Sequence, residues 1–191
     1  MIKIWEKIWE GNYRKCYKVE WLENFCIKIP KKTIELEKSL RKTLVHSIIN
    51  LNQIEKNIYN KIPGSIKKYF IKTRLIKHCS ISEIAKDYNW EESKSIWEFW
   101  KIDNPLFWEK VDNIITELIK NEIFLFDSFS ETNLFVKQIS ENEIEPLITD
   151  FKREWWLPYY LLQMNLISKK EKEKKFLRVI KRFKDQFEIK S

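Results

Sequence analysis

The sequence predicts an α+β fold, and three features of the 191-residue chain support this prediction. Apolar and polar residues alternate in short runs over residues 2–29, which is typical of strands with one buried face. Over residues 33–60 apolar residues recur every three or four positions, as in an amphipathic helix. Helical patterns return over residues 82–122. A hydrophobic content of 43% with nine tryptophans excludes a disordered chain.

The first part of the chain predicts an antiparallel sheet and one long helix. Three short strands are expected at residues 2–10, 14–21 and 25–29. Gly11-Asn12 is a strong hairpin signal between the first two strands. The helix that follows should stop at Pro63-Gly64, and residues 66–81 return to a strand pattern. The predicted order is therefore β-β-β-α-β-β.

The second part of the chain is predicted to be mostly helical. The helical pattern of residues 82–122 breaks near Asn104-Pro105. Two strands around a polar turn are expected within residues 123–151, and a basic helix from Ser168 to Phe187. We place the domain boundary near residue 80, with a sheet lobe at 1–80 and a smaller helical lobe at 81–191.

The charge of the chain favours an anionic partner. Lys and Arg total 36 against 28 Asp and Glu, which gives a net charge of +8. A lysine-rich solvated surface explains the same excess without any partner. The chain has only two glycines, Gly11 and Gly64, so a glycine-rich phosphate loop is excluded after Gly64.

Cysteine usage and hydropathy predict a cytoplasmic protein. The three cysteines have no metal-binding spacing, and an odd number without a secretory signal is typical of a reducing compartment. No apolar run approaches the ~20 residues that a membrane-spanning helix needs.

Four polar residues mark the stretch from Ile123 to Phe151 as a candidate metal site. Asp127, Ser128 and Asn133 surround one apolar run, and Asp150 ends the next. Kinases hold Mg²⁺ against ATP phosphates with an Asn, a strand, a return strand and an Asp in this order. Amide and carboxylate oxygens suit such a hard cation.

Blocks at both ends of the chain resemble the YrbL family, the PhoP regulatory network protein. The N-terminal blocks are Gly11-Asn12-Tyr13-Arg14-Lys15-Cys16-Tyr17 and Cys26-Ile27-Lys28-Ile29. The C-terminal blocks are Asn133-Leu134-Phe135, residues 139–146, Asp150, Leu157-Pro158, and the basic tail with Arg178, Lys181, Arg182 and Phe183. Residues 60–122 match only in pattern. The resemblance implies a minimal two-lobed protein-kinase-like fold.

The resemblance also implies which residues bind ATP and Mg²⁺. Lys28 resembles the strand lysine that holds the α- and β-phosphates, and Gly11 stands where a turn covers the nucleotide. Glu55 is the chosen ion-pair partner of Lys28, with Glu35 and Glu37 left open. Asn133 and Asp150 resemble the two Mg²⁺ ligands.

The catalytic loop departs from the kinase pattern. The kinase base lies five residues before the Asn, and this position is Ser128, with Asp127 one residue earlier. A serine hydroxyl hardly ionises at neutral pH and cannot replace a carboxylate base. Two functions therefore stay open. One is ATP-dependent phosphate transfer to an unknown acceptor, and the other is a pseudokinase that serves as a regulatory binding module with a protein partner.

A third hypothesis is DNA binding through a helix-turn-helix over residues 81–96. The second helix would begin Trp90-Glu91-Glu92, and carboxylates oppose binding to phosphates, so nucleic acid is the disfavoured partner. In the basic tail, Glu171 and Glu173 alternate with the lysines, which favours a solvated helix over an anion-binding one.

Overall fold

The computed structural model describes residues 3–10, 14–20, 25–30, 55–78, 81–87, 93–99, 101–150 and 168–189. The chain divides into two compact units. The first comprises Met1–Asn60 and Ile71–Trp90, and the second comprises Lys61–Phe70 and Glu91–Ser191.

The first unit contains a five-stranded antiparallel sheet. Its strands are β1 (Ile4–Glu10), β2 (Arg14–Val19), β3 (Phe25–Pro30), β4 (Thr73–His78) and β5 (Ile81–Asp87). Their order in the sheet is β1-β2-β3-β5-β4. Helical residues 55–61, named α1, precede β4, so the element order is the predicted β-β-β-α-β-β. The last strand is misplaced in the prediction, because β5 covers residues 81–87 whereas both final strands were expected within residues 66–81.

The prediction of helix from residue 82 is wrong for β5. This strand pairs with β3 on one side, at Lys28↔Ile84, and with β4 on the other, at Leu75↔Ile84. Two rows of inter-strand hydrogen bonds satisfy its backbone, and this pairing outweighs a local helical pattern. The helix-turn-helix hypothesis is wrong for the same reason, because its first helix is a strand. Residues 88–92 of that motif lie outside the described residues.

The end of α1 is as predicted. The helix stops at residue 61, and a turn at residues 64–66 leads into a 3-10 helix at Lys67–Tyr69. Lys56 Nζ donates to the Thr73 carbonyl at 3.3 Å, which ties α1 to the start of β4. Most of the predicted long helix, residues 33–54, lies outside the described residues.

The second unit combines a small sheet with two helices. The sheet has the order β6 (Ser93–Ser95), β7 (Leu134–Ser140) and β8 (Glu143–Ile148), with antiparallel neighbours. The helices are α2 (Pro105–Lys120) and α3 (Lys169–Phe187). The predicted pair of strands within residues 123–151 and the predicted basic helix are confirmed. None of the described helices is long and apolar enough to span a membrane.

Both helices begin at capping residues that are visible in the sequence. Asn104 Oδ1 accepts from the Phe107 N–H at 2.9 Å, and a proline occupies the first turn of α2. Ser168 and Glu171 form a capping box at the start of α3. Such caps satisfy N–H groups that have no partner within the helix.

An aromatic cluster forms the core around α3. The ring of Phe176 lies 5.8 Å from Phe124 and 5.7 Å from both Phe126 and Phe129, measured between centroids. Phe183 continues the cluster, 6.2 Å from Phe129. The apolar side of α3 therefore packs against the segment that follows α2, which carries the candidate site.

Candidate functional site

The segment between α2 and β7 turns so that Asp127 and Ser128 lie in different environments. Phe126 and Phe129 are buried on either side of them. Asp127 is exposed. Ser128 is 0% exposed, and its Oγ makes no hydrogen bond within the described part of the chain. The residue at the position of the kinase base is thus a buried hydroxyl, and the neighbouring carboxylate is at the surface.

The side-chain amide of Asn133 is oriented by the main chain of Asp127. Asn133 Nδ2 donates to the Asp127 carbonyl at 2.8 Å, and Ser130 Oγ donates to the same oxygen at 3.0 Å. Because a carbonyl only accepts, the amide nitrogen must face Asp127. The amide oxygen of Asn133 accepts no hydrogen bond from a described residue. It is therefore available to a cation.

Asn133 and Asp150 lie at the same end of the β7–β8 hairpin. The last strand pair is Leu134↔Ile148, and the Asn133 carbonyl extends it by accepting from Thr149 N at 2.8 Å and from Thr149 Oγ1 at 3.2 Å. Asp150 follows directly. Asp150 is thus one residue beyond the register partner of Asn133, and both residues predicted as metal ligands lie at this end of the hairpin.

Asp150 combines burial with an unusual backbone conformation. It is 7% exposed, and its φ of 48° lies in the left-handed region. This conformation costs roughly 1–2 kcal/mol for a residue with a side chain, although Asp and Asn tolerate it best. Buried carboxylates and strained residues are both enriched at functional sites.

The oxygen chemistry of this hairpin end fits Mg²⁺. An amide oxygen and a carboxylate are hard ligands, and protein Mg²⁺ sites commonly use one or two carboxylates completed by water and substrate phosphates. No cluster of three or more His, Cys, Asp or Glu residues forms a metal site in the described ranges. One amide and one carboxylate would leave most of the octahedral shell of Mg²⁺ to water or to a ligand.

The first unit contains two further residues of the predicted site. Lys28 on β3 is 7% exposed, with Cys16 of β2 and Ile84 of β5 as its strand neighbours. Glu55 on α1 is 0% exposed. Lys and Glu are almost never fully buried unless they are paired. Gly11 and the alternative partners at positions 35 and 37 lie outside the described residues.

Three residues that position this site were not predicted from the sequence. Ser130 Oγ donates to the Asp127 carbonyl three residues earlier, a local bond that serines commonly make at turns. Thr149 Oγ1 donates to the Asn133 carbonyl, which lies 16 residues away in the chain and has no local signal. Ser95 on β6 is 7% exposed, and its Oγ donates to the Glu131 carbonyl at 2.6 Å. That contact joins distant parts of the chain, so no local pattern indicates it.

Comparison with known proteins gives a limited sequence match. No protein-family model matches the chain. The RecBCD enzyme subunit RecC of Buchnera aphidicola subsp. Schizaphis graminum (strain Sg) is 28% identical to it over 166 residues. The alignment covers 82% of this chain but 14% of that subunit, so the chain spans a small part of the relative's length.

Comparison with solved structures shows the fold. The crystal structure of the Rio2 kinase from Chaetomium thermophilum matches with a TM-score of 0.60 and 15% sequence identity. The chain has a protein-kinase-like fold. The match covers 96% of this chain and 58% of the Rio2 kinase chain. The predicted kinase-like α+β fold is thereby confirmed, whereas membership of the YrbL family stays a prediction.

Proposed function

We propose that this chain binds ATP together with Mg²⁺ and transfers a phosphoryl group to an acceptor that is still unidentified. The proposal rests on the arrangement of Asn133 and Asp150 at one end of the β7–β8 hairpin. There the Asn133 amide is oriented by Asp127, and the buried Asp150 adopts a left-handed conformation. The kinase-like fold supports the choice of a nucleotide as ligand.

The metal would be held by the Asn133 amide oxygen and the Asp150 carboxylate. Mg²⁺ bound there would neutralise charge on the ATP phosphates. The chain's own contribution is to hold the Asn133 amide oxygen in place before the ligand arrives. The Thr149 hydrogen bonds to the Asn133 carbonyl and the Asp127 carbonyl bond to the Asn133 amide both serve this purpose.

Lys28 would bind the phosphates, and Glu55 would orient Lys28. The burial of both side chains supports an ion pair, because an isolated buried charge is costly. Lys28 is flanked by β2 and β5, so its backbone is fixed on both sides. Gly11 remains the proposed nucleotide-covering turn.

Asp127 is the proposed base for phosphoryl transfer. Its carboxylate is on an exposed residue, and its main chain is fixed by Asn133 and Ser130. It would accept the proton of the acceptor hydroxyl as the bond from that oxygen to the γ-phosphorus forms and the bond from the γ-phosphorus to the leaving ADP breaks. A catalytic role for Ser128 would require its buried hydroxyl to reach the acceptor.

A pseudokinase that acts as a regulatory binding module is the second candidate. Ser128 favours this candidate, because the usual position of the base holds a buried hydroxyl and no carboxylate. In this case nucleotide binding would persist without phosphate transfer. The partner would be a regulatory protein.

Nucleotide binding is tested by calorimetric titration of the protein with ATP, once in the presence of Mg²⁺ and once in the presence of excess EDTA. Asp150→Asn removes the charge and keeps a residue that tolerates positive φ. Asp103→Asn is the matched control, since Asp103 is exposed and lies before α2. We expect at least about tenfold weaker binding, or about 1.4 kcal/mol, for Asp150→Asn and wild-type binding for the control. No binding to wild type at millimolar ATP would refute the proposal.

Phosphate transfer is tested separately with γ-labelled ATP. Asp127→Asn should lower the rate of phosphate release or transfer by about a hundredfold or more while ATP still binds. If ATP binds but wild type releases no phosphate to any acceptor, water included, the pseudokinase function replaces the transferase.

A further inference from the structure

One side of α3 carries an extended positive surface, which we name the basic face. Its members are exposed Lys and Arg residues, namely Lys170, Lys174, Lys175, Arg178, Lys181 and Arg182. Phe176, Ile180, Phe183 and Phe187 are buried on the other side. At 3.6 residues per turn, the basic residues lie opposite this apolar stripe.

The charges of the basic face are only partly offset within the described protein, by the Glu171 carboxylate, which interacts electrostatically with Lys174 and Lys175. Lys169 and Lys184, which flank it, form ion pairs with Glu122 at 2.6 Å and with Asp112 at 3.0 Å. The six members of the basic face make no ion pair or hydrogen bond with a described residue. Glu171 also forms the capping box with Ser168 at the start of α3.

We propose that the basic face binds the phosphate backbone of a nucleic-acid duplex without reading its sequence. From residue 170 to residue 182 an α-helix rises about 18 Å, at about 1.5 Å per residue. A duplex carries one negative charge per about 1.7 Å of its axis, so it offers a matching row of phosphates. All six side chains are exposed, which suits contact with phosphates, and such contacts position a protein on a duplex without reading its sequence.

The helix is poorly suited to the alternative of an anionic membrane. Helices that lie on a bilayer insert an apolar face among the lipids. In α3 that face is occupied by protein, because Phe176 packs on Phe124 and Phe129. Leu177, 44% exposed, is the large apolar side chain that α3 leaves at the surface.

This proposal concerns a different element from the rejected helix-turn-helix and does not depend on ATP binding. The rejected motif lay at residues 81–96, where the chain forms strands β5 and β6. The basic face lies on α3, and none of its residues belongs to the proposed nucleotide site. The two proposals can therefore fail independently.

The test is fluorescence anisotropy with labelled duplexes of about 20 base pairs, one DNA and one RNA, at several KCl concentrations. The variant Lys174→Gln/Arg178→Gln/Lys181→Gln removes three charges and keeps good helix formers. The matched control Lys72→Gln/Lys94→Gln/Lys101→Gln removes three exposed lysines outside α3. Thermal unfolding followed by circular dichroism checks that both variants remain folded.

We expect wild type to bind at least one of the duplexes, with affinity that falls steeply with salt. Removal of three phosphate contacts should reduce the slope of log K against log salt by about 2.7 and weaken binding more than about tenfold at roughly 0.1 M salt. The control variant should keep most of the affinity, and ATP binding should be the same in all three proteins. The duplex that binds more tightly identifies DNA or RNA as the natural source of the phosphates.

Three outcomes would overturn the proposal. The first is no duplex binding by wild type at about 0.05 M salt. The second is an equal loss in the α3 variant and the control, which would assign binding to net charge alone. The third is tighter binding to phosphatidylserine vesicles than to either duplex, which would make the partner a membrane surface.

Discussion

The main-chain carbonyl of Asn133 accepts two hydrogen bonds from Thr149, one from N at 2.8 Å and one from Oγ1 at 3.2 Å. The first extends the ladder of β7 and β8 by one step. The second adds a side-chain contact at the point where the two proposed metal ligands lie. Thr149 therefore connects the stability of the hairpin to the geometry of the site.

Thr149→Val should destabilise the protein and weaken Mg·ATP binding together. Valine has nearly the same shape but no hydroxyl, so the Oγ1 hydrogen bond is lost while the main-chain bond remains. We expect the free energy of unfolding in urea to fall by about 1 kcal/mol. The affinity for Mg·ATP should fall severalfold because Asn133 is held less firmly.

Thr116→Val is the control for this substitution. Thr116 is exposed on α2, and its hydroxyl donates within the helix to the Asp112 carbonyl at 2.9 Å. Its loss should change stability by less than about 0.5 kcal/mol. Equal effects at both positions would show that the Thr149 hydroxyl has no special role.

Ser128→Ala should stabilise the protein. The Ser128 hydroxyl is buried, and its Oγ has no hydrogen-bond partner among the described residues. An unsatisfied buried hydroxyl costs about 1–3 kcal/mol, which alanine avoids at the expense of a small cavity. We expect a net gain of about 1 kcal/mol in urea unfolding.

A loss of stability in Ser128→Ala would contradict this expectation and indicate that the hydroxyl has a partner. Phosphate transfer measured on the same variant tests whether the Ser128 hydroxyl takes part in catalysis. A rate that falls with stability intact would place the hydroxyl in the reaction.

Features encoded by neighbouring residues were predictable from the sequence. The start of α2 at Asn104-Pro105, the start of α3 at Ser168, and the strands after Asn133 all follow from local patterns, and the structure has them. Caps and turns depend on a few adjacent residues, so a single sequence shows them.

Features that depend on distant contacts were not predictable. Residues 81–87 carry a helical pattern but form β5, because β3 and β4 offer hydrogen bonds on both sides. The burial of Ser128 likewise depends on the aromatic cluster around Phe176, far along the chain. The sequence indicated Asp127 and Ser128 as candidates but could not show that Asp127 is exposed and Ser128 is buried.

The ion-pair network at Glu145 should make stability depend on acid pH. Its carboxylate lies 3.1 Å from Lys110 Nζ and 3.4 Å from Lys68 Nζ, which connects β8 to α2 and to the 3-10 helix. Burial acts to raise the pKa of Glu145, but hydrogen bonding and charge from the two lysines outweigh burial and lower it.

Because the pKa of Glu145 is lower in the folded state, the ionised carboxylate stabilises the fold fully at pH values above its unfolded pKa of about 4.3. This stabilisation is lost as the pH falls through the folded pKa. Glu145→Gln should therefore be less stable than wild type at pH 6 by up to about 1 kcal/mol, and the difference should shrink towards pH 3. Urea unfolding at each pH measures this.

Glu141→Gln is the control for the pH series, because Glu141 is exposed and makes no ion pair with a described residue. Its stability difference from wild type should stay near zero at pH 6. A difference for Glu145→Gln that grows on acidification would contradict the lowered pKa.

Phe176→Ala should be the most destabilising of these substitutions. The side chain is 0% exposed and contacts the rings of Phe124, Phe126 and Phe129. Deletion of a buried phenyl ring costs about 3–5 kcal/mol, since apolar burial is lost and a cavity remains. Urea unfolding should show this loss.

Leu177→Ala is a control on the same helix, one residue away. Leu177 is 44% exposed, and alanine favours helix, so its stability should change by less than about 0.5 kcal/mol.

The substitution Phe176→Leu removes less side-chain volume than Phe176→Ala and should keep the protein folded. It should loosen the packing of Phe126 and Phe129, which flank Asp127. If Phe176→Leu lowers phosphate transfer more than Mg·ATP binding, the aromatic cluster positions the proposed base rather than the metal ligands.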